Sequence, residues 1–155
     1  GMSIRFQEDQ VRSMGRSAGG VKGIELEKSD AVVACAIVDP QATLLVAGEN
    51  GIDKRTDFEE YRVQSRGGKG IITMKTGEKT GNVVGALTVH DTDELMLITN
   101  GGQMVRIPVQ GIREAGRNTQ GVKLIDLAEK DRLQAIAPVI SEKDEDVASG
   151  EAPAA

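Results

Sequence analysis

Apolar residues in this chain come in short runs rather than at helical spacing. Val32-Val33-Ala34-Cys35-Ala36-Ile37-Val38, Leu44-Leu45-Val46 and Leu95-Met96-Leu97-Ile98 are rich in β-branched and aliphatic side chains, and Gly, Asn and Asp separate them. Turn signals such as Asn50-Gly51 and Asn100-Gly101-Gly102 follow two of these runs directly. The pattern predicts strands. Helix is a poor alternative, because the 19 glycines would each cost about 1 kcal/mol at an interior helical site.

The runs recur. Gly15-Arg16-Ser17-Ala18-Gly19-Gly20-Val21-Lys22 returns as Gly116-Arg117-Asn118-Thr119-Gln120-Gly121-Val122-Lys123, with a third copy at Ser65-Arg66-Gly67-Gly68-Lys69-Gly70-Ile71-Ile72. Val32 matches Val83 and Leu133, and Leu45-Val46 matches Met96-Leu97. A repeat of about 50 residues holding four short strands has the size of one blade in a propeller-like wheel. The predicted fold is therefore all-β: an arc of about three four-stranded antiparallel blades over residues 1–140. Ile4-Arg5-Phe6 aligns with Lys54-Arg55-Thr56, so the chain is expected to start inside a repeat and to be cut from a longer wheel. Exposed blade edges then predict self-association of the half wheel.

Charge alters the picture at one end. The net charge is −5, but residues 141–155 hold five acidic groups against one lysine, leaving −1 for the rest. That acidic segment is expected to be a disordered tail. No apolar stretch is long enough to span a membrane, and no secretory signal opens the chain. Cys35 is the sole cysteine, which excludes an internal disulfide; within its apolar run it reads as a small buried hydrophobe in a cytoplasmic protein.

The arginines are periodic as well. Nine of the ten fall into three columns: Arg5, Arg55 and Arg106; Arg12, Arg62 and Arg113; Arg16, Arg66 and Arg117. A planar guanidinium binds phosphate through several donors without reading a base, so a column repeated around a wheel suits a polyanion. Beside the Gly-rich turns, Arg16, Arg66 and Arg117, with Lys22, Lys69 and Lys123, are the favoured contacts, followed by Arg12, Arg62 and Arg113. Gly67, Gly68 and Gly70 would let backbone approach a phosphate closely. For Arg5, Arg55 and Arg106 an internal role is at least as well supported, with the nearby acids Glu8, Asp9, Asp57, Glu59 and Glu60 as partners. Catalysis finds no support. Val63 and Gly70 stand where a nucleotide loop needs Gly and Ser or Thr, and Tyr61 aligns with Val11 and Ile112 as a core position. His90 lies alone in a polar turn, so neither a catalytic triad nor a transition-metal site is expected, and no cofactor.

Gln64-Ser65-Arg66-Gly67-Gly68-Lys69-Gly70 resembles the seven-residue box of the C-terminal domain of DNA gyrase A subunits, with Ser65 where that box has Arg. The flanking repeats, Arg16 to Leu26 and Arg117 to Leu127, are similar to that domain too, and the resemblance covers residues 4 to about 140. It implies a β-pinwheel and a non-catalytic module that binds and wraps double-stranded DNA without sequence preference, supporting supercoiling. Its partners would be the rest of the A subunit and the B subunit of an ATP-dependent type II topoisomerase, among the nucleoid in the cytoplasm. Because only a box-like copy is present, this piece is expected to bind DNA weakly and not to wrap it alone. The alternatives are the matching domain of topoisomerase IV and a protein-binding propeller with no DNA role.

Overall fold

The computed structural model describes residues 1–139; the acidic tail expected at 141–155 lies outside the described residues. Nine strands run in order: β1 (Met2–Ser3), β2 (Thr43–Gly48), β3 (Ile52–Asp57), β4 (Ile71–Ile72), β5 (Val83–Val89), β6 (Glu94–Thr99), β7 (Met104–Pro108), β8 (Val122–Lys123) and β9 (Leu133–Val139). Three 3-10 turns, Glu8–Gln10, Phe58–Glu60 and Val109–Gly111, follow β1, β3 and β7. No α-helix occurs among the described residues, so the fold is all-β.

The second and third repeats supply four strands each and the first only β1, and the four do not stay in one sheet. The middle sheet has the order β5-β2-β3-β8: three strands from one repeat and a short fourth, β8, from the next. β1 and β4 pair by the same rule, with Ser3 opposite Ile71 just as Asp53 lies opposite Val122. The third sheet, β7-β6-β9, has three strands. Hence the sheets hold two, four and three strands, and only the middle one reaches four. Every pairing between the named strands is antiparallel, isolated parallel bridges join Arg5 to Val63 and Arg55 to Glu114, and each blade is tied to its successor by a strand.

The run from Val32 to Val38 forms no strand. Its equivalents β5 and β9 pair with the first strand of a hairpin, β2 and β6, whereas no strand pairs with this run among the described residues. Val32, Val33 and Ile37 are consequently exposed, and so is Cys35. Cys35 therefore departs from the buried hydrophobe its apolar run implied, because a run becomes core only when a neighbour covers it.

Period-2 alternation packs the middle blade on both faces. Leu44 and Val46 of β2 join Ile52, Phe58, Tyr61 and Met74 in one core, while Leu45 packs with Val89, Leu95, Val109 and Ile112. Ala47 joins Leu97, Ile125 and Leu133 in a third cluster. Tyr61 is buried as expected, its hydroxyl 2.6 Å from Thr73 Oγ1. Burial raises the Tyr61 pKa above the ordinary phenol value.

Two equivalent glycines make the strand borrowing feasible. Gly70 and Gly121 have φ of 74° and 102°, and each lies against the strand it joins. A Cβ on Gly121 would sit 2.6 Å from the Asp53 carbonyl oxygen, and one on Gly70 would sit 2.1 Å from that of Ser3. The close approach at Gly70 is thus to protein backbone and not to a phosphate. Gly121→Ala is expected to destabilise the chain by about 2–4 kcal/mol, combining left-handed strain with a backbone clash. A urea titration checks this, with Gly19→Ala, which meets no atom within 4 Å, as the reference.

Candidate nucleic-acid interface

The three arginine columns have three different fates. In the first, Arg5 Nη1 donates to the carbonyl oxygens of Phe58 (2.8 Å) and Tyr61 (3.2 Å), and Arg55 Nε donates to that of Ile112 (2.8 Å). Tyr61 and Ile112 occupy one repeat position, so each guanidinium holds the 3-10 turn of the following repeat. Arg55 is almost fully buried and also meets Asp91 at 2.5 Å and Glu114 at 3.5 Å. Arg106 has no following turn to hold among the described residues and pairs instead with Glu94 across its own hairpin. The column is internal, yet the acids named from sequence proximity are not its partners: carbonyls take that place, along with Asp91, Glu94 and Glu114.

The third column also reaches across repeats. Arg66 Nε donates to Gln10 O (2.9 Å) and its Nη1 to Lys22 O (3.0 Å). Arg117 Nη1 donates to Ile72 O (2.6 Å), the residue equivalent to Lys22. Arg66 and Arg117, favoured from sequence as phosphate contacts, thus spend part of their donor fork on the backbone of the preceding repeat. Arg16 is exposed and lacks any such partner among the described residues.

Only the middle column is open in all three copies. Arg12, Arg62 and Arg113 are exposed, each two residues beyond a 3-10 turn, and none makes a side-chain hydrogen bond or ion pair to another described residue. The turn sets them there: the residue before Arg62 and Arg113, Tyr61 or Ile112, plunges into the core, and alternation aims the arginine outward. Lys22 and Lys69 are exposed too, whereas Lys123 is paired with Asp126 on its own turn. Gln64 and Gly70 of the box-like motif are half-buried, and Gln64 N donates to Arg5 O at 2.7 Å. The motif is in large part an inter-repeat joint, with Ser65 and Lys69 exposed.

Under the third copy of the Gly-Arg loop lies a residue that the sequence did not single out. Lys54, fully buried on β3, donates through Nζ to Gly116 O (2.9 Å), Arg117 O (2.5 Å) and Thr119 Oγ1 (3.2 Å). Burial lowers its pKa to about 8, against the opposing pull of Glu60. Its neighbour Asp53 is also fully buried; Oδ1 accepts from Gly48 N at 3.2 Å and Oδ2 has no partner. Desolvation lifts the Asp53 carboxyl to about 7. Both stand in the charged stretch Ile52 to Thr56, and the available signal was two charged residues at positions where the preceding repeat has Ser3 and Ile4.

His90 is exposed, as expected, with Nε2 2.8 Å from Asp39 Oδ2, a contact that raises the imidazole pKa. The described residues hold no group of three metal-ligating side chains, and no helix among them is long and apolar enough to cross a membrane.

Comparison with known proteins agrees with this architecture. A family model described as the DNA gyrase C-terminal domain, a β-propeller, matches three times, at residues 1–39, 42–90 and 93–140. The DNA gyrase A subunit of Haloquadratum walsbyi is 49% identical over 138 residues, and that of Klebsiella oxytoca is 44% identical over 155. These alignments cover 88% and 98% of this chain but only 16% and 18% of the relatives, so the chain spans less than a fifth of their length. A solved DNA gyrase A C-terminal domain superposes with a TM-score of 0.84 at 28% identity, covering 90% of this chain and 48% of that one. A solved C-terminal domain of DNA topoisomerase IV gives 0.85 at 27% identity, covering 96% and 47%. Three tandem matches spanning every blade, on strands that pair from repeat to repeat, place this chain in the DNA gyrase C-terminal domain family of β-propellers.

Proposed function

We propose that this chain is a non-catalytic module of a DNA gyrase A subunit that binds double-stranded DNA through phosphates, without sequence preference, and supports supercoiling by the parent topoisomerase. The observation that carries the reading is the middle arginine column, whose three guanidiniums are exposed and uncommitted at one repeat position. Duplex DNA offers a phosphate charge every 1.7 Å or so of its axis, and contacts at one level of successive blades suit a path rather than a sequence. Arg16, Lys22 and Lys69 are auxiliary contacts; Arg66 and Arg117 contribute only the donors their backbone carbonyls leave free. In the parent the module works beside the rest of the A subunit and the B subunit, at the nucleoid in the cytoplasm, and the ATP-dependent chemistry belongs to those other parts.

Binding is tested by gel shift of an unrelated set of 40-base-pair duplexes across a salt series. All duplexes should shift alike, with log K falling linearly against log salt at a slope of roughly −3 for three phosphate contacts. A chain that shifts no duplex at low salt would belong to the protein-binding reading instead. Exposure of Val32, Val33 and Ile37 supports self-association of the arc, and sedimentation velocity should show a species heavier than 16.4 kDa that grows with concentration. Monomer throughout would remove that expectation.

A further inference from the structure

The same inter-repeat joint is built twice, with four equivalent hydrogen bonds in each copy, while the bond from Arg66 Nε to Gln10 O occurs only in the first among the described residues. At the first junction Gln10 Oε1 accepts from Arg66 N at 2.9 Å, Arg66 Nη1 donates to Lys22 O, Gln64 N donates to Arg5 O and Glu25 N to Gly68 O. At the second, Glu60 Oε2 accepts from Arg117 N at 2.7 Å, Arg117 Nη1 donates to Ile72 O, Ala115 N donates to Arg55 O and Lys75 N to Thr119 O. Every donor and acceptor in the second set is the repeat equivalent of one in the first. Gln10 and Glu60 are the last residues of the two 3-10 turns, two positions before the exposed Arg12 and Arg62. Each therefore ties the turn carrying one free arginine to the loop that follows the next free arginine, Arg62 or Arg113, by four residues.

We infer that Gln10 and Glu60 are positioning residues: by capping the Arg66 and Arg117 amides they set the blade-to-blade spacing of Arg12, Arg62 and Arg113. That spacing decides how many phosphates one chain engages at once. The inference rests on the phosphate-binding reading for its functional arm, but the joint itself can be read without DNA.

Glu60 gives the cleaner test, because simple electrostatics and the joint predict opposite signs. Removing an acid near a DNA-facing surface should tighten binding if charge alone matters. Gln serves in this joint at position 10, so Glu60→Gln keeps an acceptor while losing the charge, and Glu60→Ala loses both. Without DNA, amide hydrogen exchange at Arg117 should accelerate about tenfold in Glu60→Ala and stay near the parent rate in Glu60→Gln, the loss of one charge-assisted hydrogen bond. In the salt-series gel shift, Glu60→Ala should lose about one unit of the log–log slope and weaken binding about tenfold, whereas Glu60→Gln retains the parent slope and binds at least as tightly. If Ala and Gln behave alike in both measurements, Glu60 acts by charge alone and the inference is overturned. Unchanged Arg117 exchange in Glu60→Ala would overturn it as well. A parent chain that shifts no duplex, with the exchange contrast intact, would defeat the DNA reading and leave the joint standing.

Discussion

Replacing Arg12, Arg62 and Arg113 together by Gln is expected to weaken duplex binding several hundredfold at 0.1 M salt, with stability almost unchanged. Each phosphate contact adds roughly 0.9 to the log–log salt slope. At a tenth of molar salt, three contacts then amount to about 2.7 orders of magnitude. None of the three side chains touches another described residue through a hydrogen bond or ion pair, so their loss should move the unfolding midpoint by less than about 0.5 kcal/mol. Replacing Arg5 and Arg55 by Gln should do the reverse. Those guanidiniums hold the carbonyls of Phe58, Tyr61 and Ile112, and their removal strands acceptors at the blade junctions. Gel shift and urea unfolding on both variants separate the columns: a triple variant that binds as well as its parent would remove the middle column from the interface.

The second large effect is on stability and is set by pH. Asp53 is buried with one oxygen unpartnered, and its folded pKa is about 7, above the usual carboxylate value. The native state therefore holds this proton more tightly than the unfolded chain does. Stability is greatest below the unfolded pKa near 4, falls as pH rises toward 7, and is flat above it. Asp53→Asn, which keeps an acceptor for Gly48 N, should gain up to about 4 kcal/mol at pH 8 and nothing near pH 4. Lys54 works in the opposite sense. Its folded pKa is lowered to about 8, so stability returns as pH rises from there toward 10.5. The parent chain should thus be least stable near neutral pH, a trough that Asp53→Asn fills from the acid side. Thermal melts at half-unit intervals from pH 4 to 10 check the shape, and a gain that persists at pH 4 would show that Asp53 is not the titrating group.

Periodicity made the architecture legible. The alignment of Val21 with Ile71 and Val122, and of Val32 with Val83 and Leu133, marked strands and repeat length, because a blade must present the same apolar positions to each neighbour. What periodicity could not convey was which repeat a strand pairs with. β8 and β4 serve the preceding sheet, and Val32–Val38 meets no partner strand among the described residues. Columns of arginine were equally plain, but a guanidinium that clasps a carbonyl and one that faces solvent share the same letter in the sequence. The acceptors that distinguish them, Phe58 O, Ile112 O, Lys22 O and Ile72 O, are backbone atoms carried by every residue. Neighbouring Gly-rich turns favoured Arg66 and Arg117 as phosphate ligands, yet those turns serve the close approach of Gly70 and Gly121 to the preceding strand. Lys54 escaped notice for the opposite reason: its column holds Ile4 and Val105, and a charge in an apolar column is visible only as an exception.

Arginine footprinting addresses the central claim most directly. Phenylglyoxal modification followed by mass spectrometry reports each guanidinium separately, with and without duplex. Arg12, Arg62 and Arg113 should react readily in the free chain and be protected together by DNA, while Arg55 stays unreactive in both. Equal modification of those three with and without bound duplex, or protection confined to Arg66 and Arg117, would contradict the account.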